Sequence, residues 1–173
     1  MPIASPRQDG LIGGRALFDG AFRYSLIREW EPDAARAAFV LLNPSTADAS
    51  NDDPTVRRCQ GFARRMGAGS LEVVNIFAYR ATDPRDLHAA YARGDDIVGP
   101  RNDRAIVRAL RRAEFAVLAW GGHGGLGGRA AEVLQLLDRR GLLERCSCLG
   151  TTASGEPRHP LYLRADTRRV SIV

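Results

Sequence analysis

Polar side chains with catalytic or ligand-binding chemistry lie within or after each of four apolar stretches in the sequence. After the first stretch, Asn43 is followed by Pro44, which fixes the backbone and predicts that the Asn43 amide points to the mouth of a sheet. Nearby, Asp48 can help Asn43 to orient a water molecule, and Ser45 and Thr46 can hold a phosphate or a hydroxyl group. The alternative interpretation of this segment is a polar turn that leads into a helix.

The second apolar stretch contains Asn75 among valine, isoleucine and phenylalanine residues. A buried amide without hydrogen-bond partners costs about 1–3 kcal/mol, so this side chain needs partners. Its donor and acceptor groups match the edge of a nucleobase. Two interpretations stay open: Asn75 reads a base, or it ties down a neighbouring loop.

The third stretch ends in a glycine-rich loop and the fourth leads to a histidine. Residues 122–127 have the pattern G-x-G-x-x-G. A dinucleotide site also needs an acidic residue about 20 positions later, and no residue there fits that role well. We therefore expect Gly121 and His123 to let a ligand approach the backbone closely. His159 lies between prolines on a loop, where it is either a surface histidine or a group that exchanges a proton or stabilises negative charge.

Apolar periodicity places these residues at the ends of strands that alternate with helices. The segments 15–18 and 21–30, with Asp19-Gly20 as the turn, predict an N-terminal β-hairpin. The Asp-Pro pair at Asp53 predicts a helix start, which is a sufficient explanation for that residue. The alternation predicts an α/β layered fold with a mainly parallel sheet and a site at its carboxyl edge. The predicted strands are 37–42, 71–77, 115–120, 146–149 and an edge strand at 170–173, and the predicted helices are 54–66, 84–93, one from 102, and 129–140.

Length and composition are typical of one globular domain. The chain has 173 residues, of which 45% are hydrophobic and 26% charged, which predicts a single domain over residues 1–173. No apolar run approaches the roughly 18 residues of a membrane span, and the first residues lack the apolar core of a signal peptide. We therefore expect a cytoplasmic protein. The three cysteines lack zinc-site spacing, so we expect no metal site. We also expect no other cofactor.

The chain is basic, with a formal net charge of +5 at pH 7 and a pI near 9.7. A basic surface favours an anionic partner such as nucleic acid or a nucleotide, bound with an affinity that falls as salt rises. All 25 basic residues are arginine, which is also typical of a GC-rich genome. The absence of lysine excludes a P-loop lysine, a Schiff-base lysine and a lysine general base.

Six short motifs carry a resemblance to a known family. They are LNPSTAD at 42–48, DPT at 53–55, NIFA at 75–78, ND at 102–103, AWG at 119–121 and HPLY at 159–162. Together they resemble an uncharacterised bacterial family, the domain of unknown function number 1643. The resemblance covers a core of about residues 22–163 and implies no established activity.

Four of these motifs, in the same order, are also similar to the uracil-DNA glycosylase superfamily. That superfamily has a Gly-x-Asp-Pro or Gly-x-Asn-Pro motif after its first core strand, an Asn ending an apolar strand, a strand closing in Trp-Gly and a late His-Pro-Ser. The counterparts are 41–44, 73–75, 118–121 and 159–160. The resemblance implies a three-layer α/β sandwich with a central four-stranded, mainly parallel sheet, to which the predicted N-terminal hairpin is added. It also implies a base pocket at the carboxyl edge.

The resemblance to the glycosylases implies roles for individual residues. Asn43 would position the attacking water, Asn75 would read the base edge, and His159 would support the oxygen of the departing base. An aromatic side chain, Phe77 or Tyr79, would stack on the base. The arginines that would contact phosphates are Arg57, Arg58, Arg80 and Arg158.

The sequence departs from that superfamily at three points. Asn43 stands where its most active members have a carboxylate, which leaves Asp48 as the one carboxylate of the first motif. Leu161 replaces the serine after His-Pro and removes a phosphate contact. The chain also lacks the four-cysteine cluster of the iron–sulfur branches.

Three functions are compatible with these residues. The first is a nucleobase-recognising, glycosylase-like hydrolase that cleaves an N-glycosidic bond in DNA or in a nucleotide. The second is a non-catalytic module that binds a base, a nucleotide or modified DNA. The third, a small-molecule hydrolase that uses Ser45 or Thr46 with His159, ranks last because the sequence lacks a G-x-S-x-G nucleophile elbow.

Overall fold

Seven strands and four α-helices make up most of the regular structure of residues 10–173, the part of the chain that the computed structural model describes. The strands are β1 (Gly13–Asp19), β2 (Phe22–Glu29), β3 (Ala35–Leu41), β4 (Ala68–Asn75), β5 (Phe115–Leu118), β6 (Cys146–Cys148) and β7 (Val170–Ser171). The helices are α1 (Pro54–Arg65), α2 (Pro84–Ala92), α3 (Asn102–Arg112) and α4 (Arg129–Arg139). Short 3-10 segments lie at Gly122–Gly128, Leu143–Arg145 and Pro160–Tyr162.

All seven strands belong to one mixed sheet, in the order β1-β2-β4-β3-β5-β6-β7. The pairings β4–β3, β3–β5 and β5–β6 are parallel, whereas β1–β2, β2–β4 and β6–β7 are antiparallel. In the parallel part, Phe39 of β3 lies between Val73 of β4 and Val117 of β5. The carboxyl ends of these strands therefore meet at one edge of the sheet, where α/β proteins place their sites.

Helices cover both faces of the sheet, because its central strands are apolar on both sides. Helix α1 packs Val56 and Phe62 against Phe39 and Val117 on one face. Helices α2, α3 and α4 pack on the opposite face. Their buried contacts there include Leu87, Ile106, Leu110, Val133 and Leu137 against Val40, Val74 and Leu118.

The α/β class predicted from the sequence is confirmed, and the sheet is wider than predicted. The N-terminal hairpin is present, but its turn residues are Gly20 and Ala21, because Asp19 pairs with Phe22. The hairpin is also part of the main sheet, since β2 pairs with β4 and antiparallel strands extend both edges. Within residues 10–173, no helix combines the length and apolar character needed to cross a membrane.

A substitution of Gly69 tests the close packing at the start of β4. Its carbonyl accepts hydrogen bonds from the N–H groups of Trp30 and Glu31, and a Cβ at this position would overlap the carbonyl oxygen of Glu31. We expect Gly69→Ala to lower the free energy of unfolding by about 1–3 kcal/mol, because overpacking forces the backbone apart.

The matched control is Gly61→Ala in α1, where a Cβ meets no atom within 4 Å. This substitution should raise the free energy of unfolding by about 0.5–1 kcal/mol, because alanine favours a helix interior. Denaturant unfolding of both variants measures the difference. Effects of the same sign would contradict the packing described at Gly69.

Candidate functional site

A cavity of about 630 Å³ lies at the carboxyl edge of the four parallel strands. Its walls come from the segments that follow β3, β4, β5 and β6, together with the start of α1. Parallel strand ends thus bring together side chains that are far apart in the sequence. Of the residues predicted at a site, Asn43, Ser45, Thr46, Gly121, His123 and His159 line this cavity.

The segment 43–53, which forms one wall of the cavity, is held by Arg28 of β2. The Nε of Arg28 donates to Oδ1 of Asp52 over 2.7 Å, and Nη2 donates to the carbonyl oxygens of Asp48 and Asn51. The Arg28 side chain is only 2% exposed. Its buried charge therefore depends on these partners rather than on water.

A second buried arginine, Arg23, supports the same segment. Its Nη1 donates to the carbonyl oxygen of Ala47 over 2.9 Å. Burial lowers the pKa of Arg23 to about 10, while the nearby charge of Asp53 acts in the opposite direction. Gln60 of α1 adds a further tie, since its amide donates to Oδ2 of Asp52 over 2.6 Å.

Asn43 joins two walls of the cavity through one end of its amide. Its Nδ2 donates to the carbonyl oxygens of Pro44, at 3.0 Å, and Ala81, at 2.8 Å. Two carbonyl acceptors fix the orientation of the amide, because its oxygen would be repelled in that position. Oδ1 then has no partner within residues 10–173, so it is available to a water molecule or a ligand.

Asp53 is both the N-cap of α1 and a lining residue of the cavity. Its Oδ1 accepts a hydrogen bond from the N–H of Val56 over 2.8 Å, as the Asp-Pro pattern predicts. Its Oδ2 has no hydrogen-bond partner in the part of the chain that the structure describes. A carboxylate that sequence reasoning assigned only to helix capping therefore also faces the cavity.

His159 is held as a neutral imidazole at the cavity wall. Its Nδ1 accepts a hydrogen bond from the N–H of Leu161 over 3.2 Å, so the ring proton lies on Nε2. Burial lowers the pKa of His159 below its ordinary value, and the charge of Asp53 only partly opposes this shift. The Nε2–H group has no partner among the described residues and can donate to a ligand.

The Trp120-Gly121 end of β5 forms a packed wall. The buried Trp120 donates its Nε1–H to the carboxylate of Glu156, and the N–H of Gly121 donates to the carbonyl oxygen of Pro157 over 2.8 Å. Gly124 lies directly against the indole ring, where a Cβ would overlap it. At this point the glycine-rich loop serves close packing on Trp120.

The rim of the cavity carries a cation, an aromatic ring and a histidine pair. Arg158 is exposed, and its guanidinium has no partner within residues 10–173. Tyr162 is 86% exposed, which makes its ring accessible from the cavity mouth. Nδ1 of His123 lies 3.2 Å from Nε2 of His88 in α2. The described residues hold no cluster of three or more side chains that would bind a metal ion.

Asp48 does not line the cavity, contrary to the prediction that it helps to orient a catalytic water. Its Oδ1 accepts hydrogen bonds from the N–H groups of Ser50, at 2.9 Å, and Asn51, at 2.8 Å. The bond from Ser50 is the main reason that the pKa of Asp48 is lowered. Asp48 therefore stabilises its own loop. Pro44 is also outside the lining, and its carbonyl accepts from Asn43 and from the N–H of Ala81.

Three further residues predicted to bind substrate lie away from the cavity. Phe77 is 2% exposed within the core, and Tyr79 packs against the same core. Arg80 stacks on the ring of Phe18, with 4.9 Å between the guanidinium carbon and the ring centre. Phe77 and Tyr79, to which the resemblance assigns stacking on a base, therefore belong to the core or pack against it, and the lining of the cavity includes the exposed ring of Tyr162.

Asn75 neither lines the cavity nor ties a loop through its side chain. It is 1% exposed, and both of its amide atoms lack a partner within residues 10–173. The tie is made by Asn102, whose Nδ2 donates to the carbonyl oxygens of Asn75 and Ile76 over 2.8 and 3.0 Å. In the sequence, Asn102 is marked by the Asn102-Asp103 motif of the family resemblance.

Replacing Arg28 tests whether the cavity wall depends on it. We expect Arg28→Ala to lower the free energy of unfolding by about 3–5 kcal/mol, because Asp52 is left as a largely buried charge without its partner. Arg164→Ala removes an arginine that is 85% exposed in its pair with Asp166, and should change the free energy by less than about 1 kcal/mol. Denaturant unfolding compares the two variants, and equal losses would contradict the anchoring role.

The neutral state of His159 predicts a pH dependence of stability. Because burial lowers its pKa, the unfolded chain binds more protons than the folded one between the ordinary value of 6.5 and the lower folded value. The free energy of unfolding should therefore fall as pH falls through that window. We expect His159→Gln to remove this component and exposed His88→Gln to retain it. Unfolding curves on both sides of pH 6.5 measure it, and an unchanged dependence in His159→Gln would contradict the burial effect.

Comparison with known proteins identifies a family but no activity. A profile of the family described as "Protein of unknown function (DUF1643)" matches residues 23–161. The matched range contains the four parallel strands, α1 and the cavity residues Asn43, Asp53 and His159. No curated protein and no solved structure matches the chain.

Proposed function

This chain belongs to the DUF1643 family, and we propose that its cavity binds a nucleobase and promotes hydrolysis of the N-glycosidic bond in a nucleotide or in DNA. One observation carries the proposal. A neutral His159 with an available Nε2–H shares the cavity with Asp53, whose Oδ2 has no partner in the described part of the chain. A hydrogen-bond donor and a carboxylate in one cavity suit a reaction that separates charge.

Each of these groups matches one part of the reaction. As the bond from the sugar C1′ to the base nitrogen breaks, the base takes the electron pair and the sugar gains oxocarbenium character. The Nε2–H of His159 donates to the developing negative charge on the base. The carboxylate of Asp53 stabilises the sugar and accepts a proton from the attacking water, which Oδ1 of Asn43 orients. The water oxygen completes the reaction by bonding to C1′.

The size and lining of the cavity support a ligand of this class. A volume of about 630 Å³ is in the range of small-molecule sites, which combine apolar walls with a few polar groups. Leu42, Trp120 and Leu161 supply apolar surface, and the exposed ring of Tyr162 offers a stacking surface at the mouth. Arg158 at the rim adds a cation for a phosphate.

We also propose that this part of the fold is related to the uracil-DNA glycosylase superfamily. The order β4-β3-β5-β6 of four parallel strands, with the matching motifs after β3, in β4, after β5 and in the turn that begins at Pro160, supports it. Asn43 lacks the charge that the most active members have at that position. In our proposal Asp53, from the start of α1, supplies the charge instead.

Binding without catalysis is the second function, and two contacts favour it. Nδ2 of Asn43 is committed to joining two walls, and Oδ1 of Asp53 is committed to capping α1. Each side chain then has only its second polar atom, Oδ1 of Asn43 or Oδ2 of Asp53, for contact with a ligand. A hydrolase built on Ser45 or Thr46 has less support, because no hydrogen bond within residues 10–173 joins either hydroxyl to His159.

Conservative variants separate these functions. We expect Asp53→Asn and His159→Gln each to reduce base release by about 10²–10³-fold, because each removes an interaction that strengthens as charge develops. Asparagine also caps helices well, so Asp53→Asn should leave the free energy of unfolding nearly unchanged. The assay measures free base released from nucleosides, nucleotides and oligonucleotides that carry modified bases.

The matched control is Asp48→Asn, which changes the same chemical group outside the cavity and should retain base release. Full activity in both Asp53→Asn and His159→Gln would contradict the catalytic roles. No release by the wild type, together with saturable nucleoside binding that His159→Gln weakens, would support the binding module in place of the hydrolase.

A further inference from the structure

The solvent face of α3 carries a row of arginines. Four exposed residues, Arg104, Arg108, Arg111 and Arg112, form what we call the α3 stripe. At 3.6 residues per turn and 1.5 Å per residue, they fall within an arc of about 100° and along about 12 Å of helix axis. The opposite face of the helix is buried in the core through Ile106, Val107, Ala109 and Leu110.

The α3 stripe has no paired counter-charge among the residues that the structure describes. None of its four guanidinium groups has a hydrogen bond, ion pair or ring contact within residues 10–173. Of the other charges at the ends of the helix, Arg101 lies 3.9 Å from Asp19 and Asp103 lies 2.6 Å from Arg129. Glu114, two residues after the helix, is exposed and forms no ion pair with the stripe. The helix therefore presents four unpaired positive charges to solvent, as far as residues 10–173 are concerned.

This arrangement is unfavourable for the isolated helix. Like charges three or four residues apart repel by about 0.2–0.5 kcal/mol per pair. Arg111 and Arg112 lie in the last turn, where the helix dipole favours a cation, but Arg104 and Arg108 lie before it. The helix dipole therefore favours only two of the four positive charges, whereas an external polyanion would favour all four.

We propose that the α3 stripe binds the phosphate backbone of a nucleic acid. Guanidinium groups bind phosphates through paired N–H···O bonds, and a row of them matches a linear polyanion. The rise of about 6 Å from Arg104 to Arg108 is close to two nucleotide steps of about 3.4 Å along one strand. An anionic membrane fits less well, because the apolar face of α3 is packed against the sheet and cannot enter lipid.

The α3 stripe is separate from the cavity. No residue of α3 is among those that line the cavity, and the lining has one uncompensated arginine at its rim, Arg158. The inference therefore depends on α3 alone and holds whatever ligand the cavity takes.

Two triple variants of equal charge test the inference. One combines Arg104→Gln, Arg108→Gln and Arg111→Gln, and its matched control combines Arg65→Gln, Arg139→Gln and Arg140→Gln at exposed positions elsewhere. Each lowers the formal net charge of +5 by three, from +5 to +2, and glutamine retains good helix propensity. Fluorescence anisotropy with labelled duplex and single-stranded oligonucleotides, at about 50–200 mM salt, gives the affinity and its salt dependence.

We expect the stripe variant to lose about tenfold or more in affinity at about 100 mM salt. The slope of log affinity against log salt should fall by up to about 2.7 on duplex DNA, since each lost phosphate contact removes about 0.9. The control variant should remain close to the wild type. Circular dichroism checks folding, and the single variant Arg104→Gln, with a slope change of up to about 0.9, serves if the triple variant does not fold.

Three outcomes would overturn the inference. Equal losses in the two triple variants would assign binding to net charge alone. Absence of nucleic-acid binding by the wild type at about 50 mM salt would remove the partner. Binding to phosphatidylserine vesicles, lost in the stripe variant and not matched by any oligonucleotide, would assign the stripe to lipid. Free-nucleoside binding or cleavage should be the same in the stripe variant and the wild type, so a failure at the cavity is recognised separately.

Discussion

The buried guanidinium of Arg28 is the contact on which the geometry of the cavity depends. Arg28 belongs to β2, an antiparallel strand of the sheet. Its N–H groups donate hydrogen bonds to the segment that follows the parallel strand β3. A buried charge costs several kcal/mol unless it is paired and hydrogen-bonded. A conformation of the segment 43–53 that displaced Asp52 and the carbonyl groups of Asp48 and Asn51 would leave the Arg28 charge without these partners. The charge therefore selects one conformation of the cavity wall.

This constraint explains how single residues can be both structural and available to a ligand. Asn43 leaves β3 at one end of the segment, and Asp53 begins α1 at the other. Each side chain uses one polar atom to hold the backbone, and its other polar atom has no hydrogen-bond partner among residues 10–173. Atoms fixed in this way are preorganised, which is what stabilisation of developing charge requires. His159 is similar, since Nδ1 accepts a hydrogen bond and Nε2–H has no partner in the described part of the chain.

Local patterns in the sequence predict most elements, because apolar periodicity and Asp-Pro helix starts depend on neighbouring residues. The pairing of β2 with β4 is different, since it joins segments that no local pattern relates. At the site, strand ends and prolines were sufficient to locate Asn43 and His159 beside the cavity. The sequence does not predict the position of Asp53 in the cavity, because helix capping alone is a sufficient reason for an aspartate before Pro54. The resemblance assigns Phe77 to stacking on a base, but its side chain is buried in the core, and a short motif does not show on which side of a strand end a ring lies.

A ligand titration followed by NMR tests most directly whether this edge of the sheet is a nucleobase site. Nucleosides and free bases would be added to the ¹⁵N-labelled protein while the backbone amides and the histidine ring nitrogens are observed. We expect saturable shifts at His159 and in residues 43–46 and 120–123, with the proton of His159 remaining on Nε2. The absence of shifts, or shifts confined to surfaces outside the cavity, would contradict a nucleobase site at the carboxyl edge.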